Sequence, residues 1–185
     1  MSSIEMQKFT LDPDKSIKLR TALPEDAHKT LALYKSVIQE GRFTLFQIEE
    51  FDRDVKQERE AIGRELSNKG DLRIVAEVGG EIVGMARVRE GKVKRTSHFG
   101  EVDSVWVIEA WRGRGIGGMM IDALINWAQK NNQIEKLGLF VFSTSKAAIG
   151  LYESRGFVIE GHAPRDVKFG PDDYAATIIM GRRTA

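Results

Sequence analysis

The stretch WRGRGIGG, Trp111 to Gly118, places four glycines and two arginines within eight residues. Before it stands EVDSVWV (101–107), β-branched and aromatic enough to read as a strand. After it Ile116, Met119, Met120, Ala123, Leu124 and Trp127 recur at three- and four-residue steps, the period of an amphipathic helix running to about Asn131. Glycine costs backbone entropy, so a strand–turn–helix junction this rich in it requires bare backbone. A tight turn, the close approach of two elements, or an anion against main-chain N–H groups at a helix N-terminus would each require it. Arg112 and Arg114 add positive charge where an anion would lie, and Gly113, Gly115, Gly117 and Gly118 carry no side chain to hold it away. A turn alone has no need of both.

The remaining elements follow from periodicity and punctuation. Residues 1–16 read as a polar leader, poorly ordered, ahead of a single domain over 17–185. IKLRTAL (17–23) alternates as a strand, and Pro24 with Glu25 and Asp26 opens a helix that Gly41 stops. A charged second helix spans 51–70, with Phe51, Val55, Ile62 and Leu66 as its apolar positions. LRIVAEV and EIVGMARV flank Gly79-Gly80, a hairpin signal. KLGLFVF (136–142) is apolar on both faces and so reads as a central strand. SKAAIGLYESRGF is a helix closed at Gly156, and the strands FVIEG and YAATIIMG end the chain. The order predicts a mixed α/β fold, with helices flanking a central sheet.

Composition narrows the function. With 28 Lys+Arg against 27 Asp+Glu the net charge is +1, which gives no global pull toward nucleic acid or an anionic membrane. KVKR (92–95) lacks interleaved aromatics and reads as a solvated loop. The absence of cysteine removes disulfides, thiolate metal sites and a cysteine acyl-enzyme. His28, His98 and His162 are isolated, so no metal site is expected. No apolar run reaches membrane length, and the expected location is cytoplasmic.

Gly113, Gly115 and Gly118 also satisfy G-x-G-x-x-G, the dinucleotide fingerprint. The context opposes it. The next strand ends LFVFSTS without the required acidic residue, and Glu101 and Asp103 sit where a buried parallel strand would be apolar. No G-K-[ST] follows, so a triphosphate P-loop is excluded as well.

Arg112-x-x-Gly115-x-Gly117 resembles the R/Q-x-x-G-x-G/A loop of the GCN5-related N-acetyltransferases. Val105-x-Val107 precedes it, GGEIVGMARV is similar to the family's central hairpin, and AAIGLYESRGF (147–157) to its A-x-x-L-Y-x-x-x-G-F segment. With YAATIIMG as the closing strand, the resemblance covers about residues 17–182. It implies a mixed, mostly antiparallel sheet flanked by helices. It also implies acetyl-CoA as co-substrate, a primary amine of a small molecule or peptide as acceptor, and direct attack in a ternary complex by a monomer or homodimer. A non-catalytic acyl-CoA sensor is the alternative.

By the same resemblance the backbone of Val105, Trp106 and Val107 pairs with the pantetheine arm, and the loop from Arg112 through Ile116 to Gly118 takes the pyrophosphate. Tyr152 is the general acid beside the thioester sulfur. A free amine with a pKa of about 10 must lose a proton before attack. Period-two alternation puts Glu101, Asp103, Val105 and Val107 on one face, which makes Glu101, then Asp103, candidates for the base. Ser145 stands where the family often has asparagine; it is a weak cofactor contact and a helix N-cap. Ala176 stands where the family often has an acidic residue.

Overall fold

Gly79 and Gly80 both take positive φ, 59° and 87°, and there the chain reverses between β3 (Leu72–Val78) and β4 (Glu81–Glu90). The hairpin read from the sequence forms the middle of an eight-stranded sheet. The computed structural model describes residues 2–12 and 15–185. Its other strands are β1 (Gln7–Asp12), β2 (Lys15–Thr21), β5 (Phe99–Val107), β6 (Lys136–Phe142), β7 (Val158–Gly170) and β8 (Asp173–Arg183). They lie in the order β1-β2-β3-β4-β5-β6-β8-β7. Among the described residues the only parallel pairing joins β5 to β6.

Helices α1 (Ala27–Gln39) and α2 (Val55–Ser67) cover one face of the sheet; α3 (Ile116–Lys130) and α4 (Lys146–Glu153) belong to the other. Alternating strand residues feed the two cores. Val75 and Met85 meet Leu33, Tyr34, Val37 and Ile62, whereas Ile74, Val88 and Val102 meet Met120, Ile121 and Leu124. Helix α2 starts later than its apolar spacing suggested. The Asp54 carboxylate accepts from Gln57 N–H at 2.7 Å, Gln57 Oε1 accepts from Asp54 N–H at 2.9 Å, and this reciprocal cap leaves Phe51 in the preceding segment.

Three expectations change. The polar leader contains strand β1, paired antiparallel with β2, and Ser2 N–H donates to Leu66 O at 3.2 Å. Its Met1, Pro13 and Asp14 lie outside the described residues. Strand β7 is 13 residues long rather than the five of FVIEG. Pro164 cannot donate to a ladder, and the strand accommodates it at the sheet edge with a bulge between Ala163 and Val167 and Arg165 at φ 56°. Strand β6 is central as expected, yet Phe140 is 59% exposed. Pairing with β5 stops at Glu101↔Gly138, two residues before Phe140, so the β5-facing edge of β6 is unpaired beyond that point.

Candidate active site

That early stop creates the site. β5 pairs with β6 only through Phe99↔Lys136, Gly100↔Leu137 and Glu101↔Gly138. From Val102 to Val107, among the described residues, the β6-facing edge of β5 has no strand partner. The strand then passes through one 3-10 turn (Glu109–Trp111) into the glycine loop and the first turn of α3. An extended edge thus runs straight into the unsatisfied N–H groups of a helix N-terminus.

The loop glycines divide their work. Gly113 and Gly115 have φ of 74° and 79°, and Gly115 is the left-handed N-cap of α3. A Cβ on Gly113 would meet nothing within 4 Å, and one on Gly115 only the end of Met119 at 3.9 Å, so the space beside this backbone is open. Gly118 is different: a Cβ there would collide with the Arg155 guanidinium, just beyond α4. Gly117 likewise sits against Leu151. The loop therefore has open backbone at the first two glycines and close helix packing at the last two.

Arg112 is exposed but engaged. Its Nε donates to Val107 O at 2.8 Å, and its two terminal nitrogens donate to the Glu40 carboxylate at 2.7 and 2.6 Å. The guanidinium lies 5.0 Å from the centre of the Phe43 ring. Arg114 stacks over Trp111 at 5.1 Å.

The alternation expected along β5 breaks at Ser104, which has φ 52° and sits in a bulge where the pairing with β4 shifts between Met85 and Arg87. An extra residue in one strand reverses the facing of everything after it. Val105 and Val107 therefore pack with the α3 and α4 core, while Trp106 joins the α1 and α2 core and meets the Tyr34 ring edge-on at 4.7 Å. Asp103 stays on the α2 side, bonded by Arg87, which also donates to Glu65 of α2 at 3.0 Å. Glu101 and Asp103 thus do not share a face with Val105 and Val107. The Tyr34 hydroxyl and Ser104 Oγ lie 3.2 Å apart, tying α1 to the bulge.

Asp103 is also heavily committed. Arg87 grips both its oxygens at 2.7 and 3.0 Å, and Arg89 Nε donates at 2.7 Å. Burial alone would raise this carboxyl, but the two guanidiniums outweigh it and hold it below the usual carboxylate range. Glu101 is half-buried and has one long contact, from Arg89 at 3.4 Å. Behind them Arg73 joins Glu65 (2.7 Å) to the fully buried Glu58, which also accepts from Arg53 at 2.9 Å and Thr30 at 3.0 Å. No sequence motif announced this chain of alternating charges.

On the other side of the sheet Tyr152 is buried beside Phe157, with ring centres 5.8 Å apart, and burial pushes its phenol up to about 12. Ser145 occupies the N-cap position of α4, but its hydroxyl makes no capping bond; its carbonyl accepts from Ala148 and Ile149 N–H instead. His28, His98 and His162 are exposed, and among the described residues no three His, Cys, Asp or Glu side chains group as metal ligands. No helix among those residues is long and apolar enough to cross a membrane.

The model of the acetyltransferase (GNAT) family matches residues 33–157, which run from within α1 through β3–β5 and the glycine loop to just past the end of α4. The chain belongs to that family. L-amino acid N-acetyltransferase AaaT of Escherichia coli is 27% identical over 92 residues, covering 50% of this chain and 56% of that protein. The match thus spans little more than half the length of this relative. The acetyltransferase of GNAT family from Streptococcus pneumoniae superposes with a TM-score of 0.84 at 24% identity, covering 90% of this chain and 98% of that one. YncA of Salmonella typhimurium, solved with its cofactor acetyl-CoA, gives 0.81 at 20% identity, over 91% and 94% of the two chains. The GNAT fold is thus established, with its mostly antiparallel sheet and flanking helices.

Proposed function

We propose that this GNAT protein is an acetyl-CoA-dependent N-acetyltransferase acting on a primary amine. The observation that carries the reading is the unpaired edge of β5 running into a helix N-terminus whose first glycines open onto free space. Residues Val105, Trp106 and Val107 would hold the pantetheine amides as an added strand would. The backbone of Gly113 to Gly118, with the dipole of α3, would hold the pyrophosphate. YncA, of the same fold, was solved with its cofactor acetyl-CoA, which supports this assignment. Bound acetyl-CoA supplies an acetyl group activated as a thioester.

The chain's own residues supply the proton handling. Glu101 lies on the α1 and α2 side at the point where β5 and β6 part, and it is less committed than Asp103, so it takes the proton from the acceptor ammonium, directly or through water. Asp103 keeps the charge network in register. Tyr152 lies on the opposite, α4 side and keeps its proton at any physiological pH; it would give that proton to the departing thiolate, although burial makes its phenol a weaker acid than an ordinary tyrosine. With the two groups on opposite faces, the amine enters from one side of the split and the thiol departs on the other. The chain has no cysteine to carry the acetyl group, in keeping with direct attack. An L-amino acid is the acceptor class in the name of the Escherichia coli relative, so it heads the panel to be tested.

The test is thiol release from acetyl-CoA across amino acids, polyamines, aminoglycosides and peptides, with Glu101→Gln and Tyr152→Phe alongside. Turnover that falls by about 10²-fold or more in either variant supports the assigned roles. Acetyl-CoA binding without turnover on any amine would point to a sensor, and no binding would overturn the reading of the loop.

A further inference from the structure

The sequence casts Arg112 as a charge for the pyrophosphate, but its donors are mostly spent elsewhere. A guanidinium has five N–H groups, and here Nε goes to Val107 O while one N–H from each terminal nitrogen goes to Glu40. Glu40 ends α1 and begins the segment leading to α2. That segment is held to the rest of the protein at few points. Thr44 bonds within it to Phe46 O, and Gln47 N–H to Glu50. Its outward ion pair, Arg42 to Asp173, is long at 3.8 Å and exposed. Phe43, Leu45 and Phe46 are 43%, 72% and 58% exposed. At its far end Phe51 stacks on Tyr34 at 5.8 Å, and Tyr34 in turn holds Trp106 and Ser104 on the face of β5 that carries Glu101. One end of the segment is therefore anchored at the cofactor loop and the other at the acceptor face.

We propose that Arg112 and Glu40 form a latch that positions residues 41–51 over the acceptor side of the split sheet. Arg112 acts as a positioning residue for the acceptor more than as a ligand of the cofactor phosphates. The same guanidinium braces Val107 O, the end of the open edge, so the cofactor strand and the acceptor segment share one clamp. Phe43 under the guanidinium adds a third point of hold. The acceptor arm of this inference rests on the acetyltransferase reading; the latch does not.

The test compares the full-length chain with Glu40→Gln, Arg112→Gln and the double variant. Glutamine at 112 keeps the R/Q-x-x-G-x-G pattern of the loop, so its effect isolates the loss of the guanidinium clamp. Hydrogen–deuterium exchange of peptides covering 41–47 reads the latch without requiring turnover. Isothermal titration with acetyl-CoA and the acceptor KM read its consequence. The expected result is faster exchange in both single variants and an acceptor KM raised up to about fivefold in each, the scale of a well-formed exposed bidentate pair. In Glu40→Gln the acetyl-CoA dissociation constant and kcat should move by less than about twofold, and the double variant should add nothing beyond Arg112→Gln, which alone also loses the bond to Val107 O. Unchanged exchange in both variants overturns the latch. Weakened acetyl-CoA binding in Arg112→Gln with no effect of Glu40→Gln overturns it in favour of a phosphate ligand. If acetyl-CoA does not bind the unmodified chain, the proposed function fails, and the exchange arm alone decides the latch.

Discussion

At the residue scale the two sides of the split sheet hold acid groups in opposite conditions. Tyr152 is buried without charge compensation and its phenol rises to about 12, while Asp103 is buried between Arg87 and Arg89 and falls. Two outcomes follow. The alkaline limb of the kcat profile should not shift when Tyr152 is replaced by phenylalanine, because a phenol at about 12 does not titrate in the working range; only the height of the profile should fall. Asp103→Asn should destabilise the fold by about 3 kcal/mol, because it strips a partner from the largely buried Arg87, measured by urea unfolding at pH 7. The folded-state pKa of Asp103 is depressed, so this contribution is present above its unfolded value of about 3.9 and fades as the pH falls through the folded one. The variant and the unmodified protein should converge in stability toward pH 2.

The elements show why one motif carried two physical jobs. In α3 and the loop before it, Gly115 serves backbone conformation and Gly118 serves contact with the Arg155 side chain. The predictions separate them. Gly115→Ala forces a left-handed φ on a residue with a Cβ, costing about 1–2 kcal/mol, and should weaken acetyl-CoA binding in titration calorimetry. Gly118→Ala displaces the guanidinium of Arg155, and with it the Arg155–Asp122 pair at 3.2 Å. Its cost should appear as a lower melting temperature, with acetyl-CoA affinity less affected than in Gly115→Ala. The strand before the loop teaches a related lesson. EVDSVWV announced a strand and its candidate base, but period two is a statement about an unbroken pleat. A single left-handed residue, Ser104, turned the second half of β5 over. A serine carries no strong signal for such a bulge, so the sequence offered nothing from which to read it.

Across the whole molecule, charge is layered under α1 and α2. Arg20 grips Asp26 at 2.6 and 2.8 Å and Glu77 at 3.0 and 2.9 Å, and the line from Arg53 through Glu58, Arg73, Glu65 and Arg87 to Asp103 crosses from helix to sheet. Burial would raise the carboxyls of Asp26 and Glu77, but their cationic partners, Arg20 foremost, hold both below the usual range, as Arg87 does for Asp103. Each such depression stabilises the fold above an unfolded pKa of about 4 and is withdrawn on acidification. A calorimetric series from pH 7 to pH 3 should therefore show a nearly level melting temperature down to about pH 5 and a steep fall below it. A series that stays level to pH 3 would mean that these pairs do not differ from their unfolded state.

What the sequence determined by itself is local. Apolar period, glycine punctuation and the loop motif sufficed for the Gly79-Gly80 hairpin, for β5, the glycine loop and α3 as consecutive pieces, and for the family, because each is written in residues a few positions apart. The tertiary structure decided what depends on partners far along the chain. The parting of β5 from β6 after Glu101 rests on pairing across 37 residues, and the engagement of Arg112 by Glu40 on a contact 72 residues away. The charge network from Glu58 to Asp103 was equally out of reach, since a solvated helix face and a buried ion pair are spelled with the same letters. Only packing removes the water that distinguishes them.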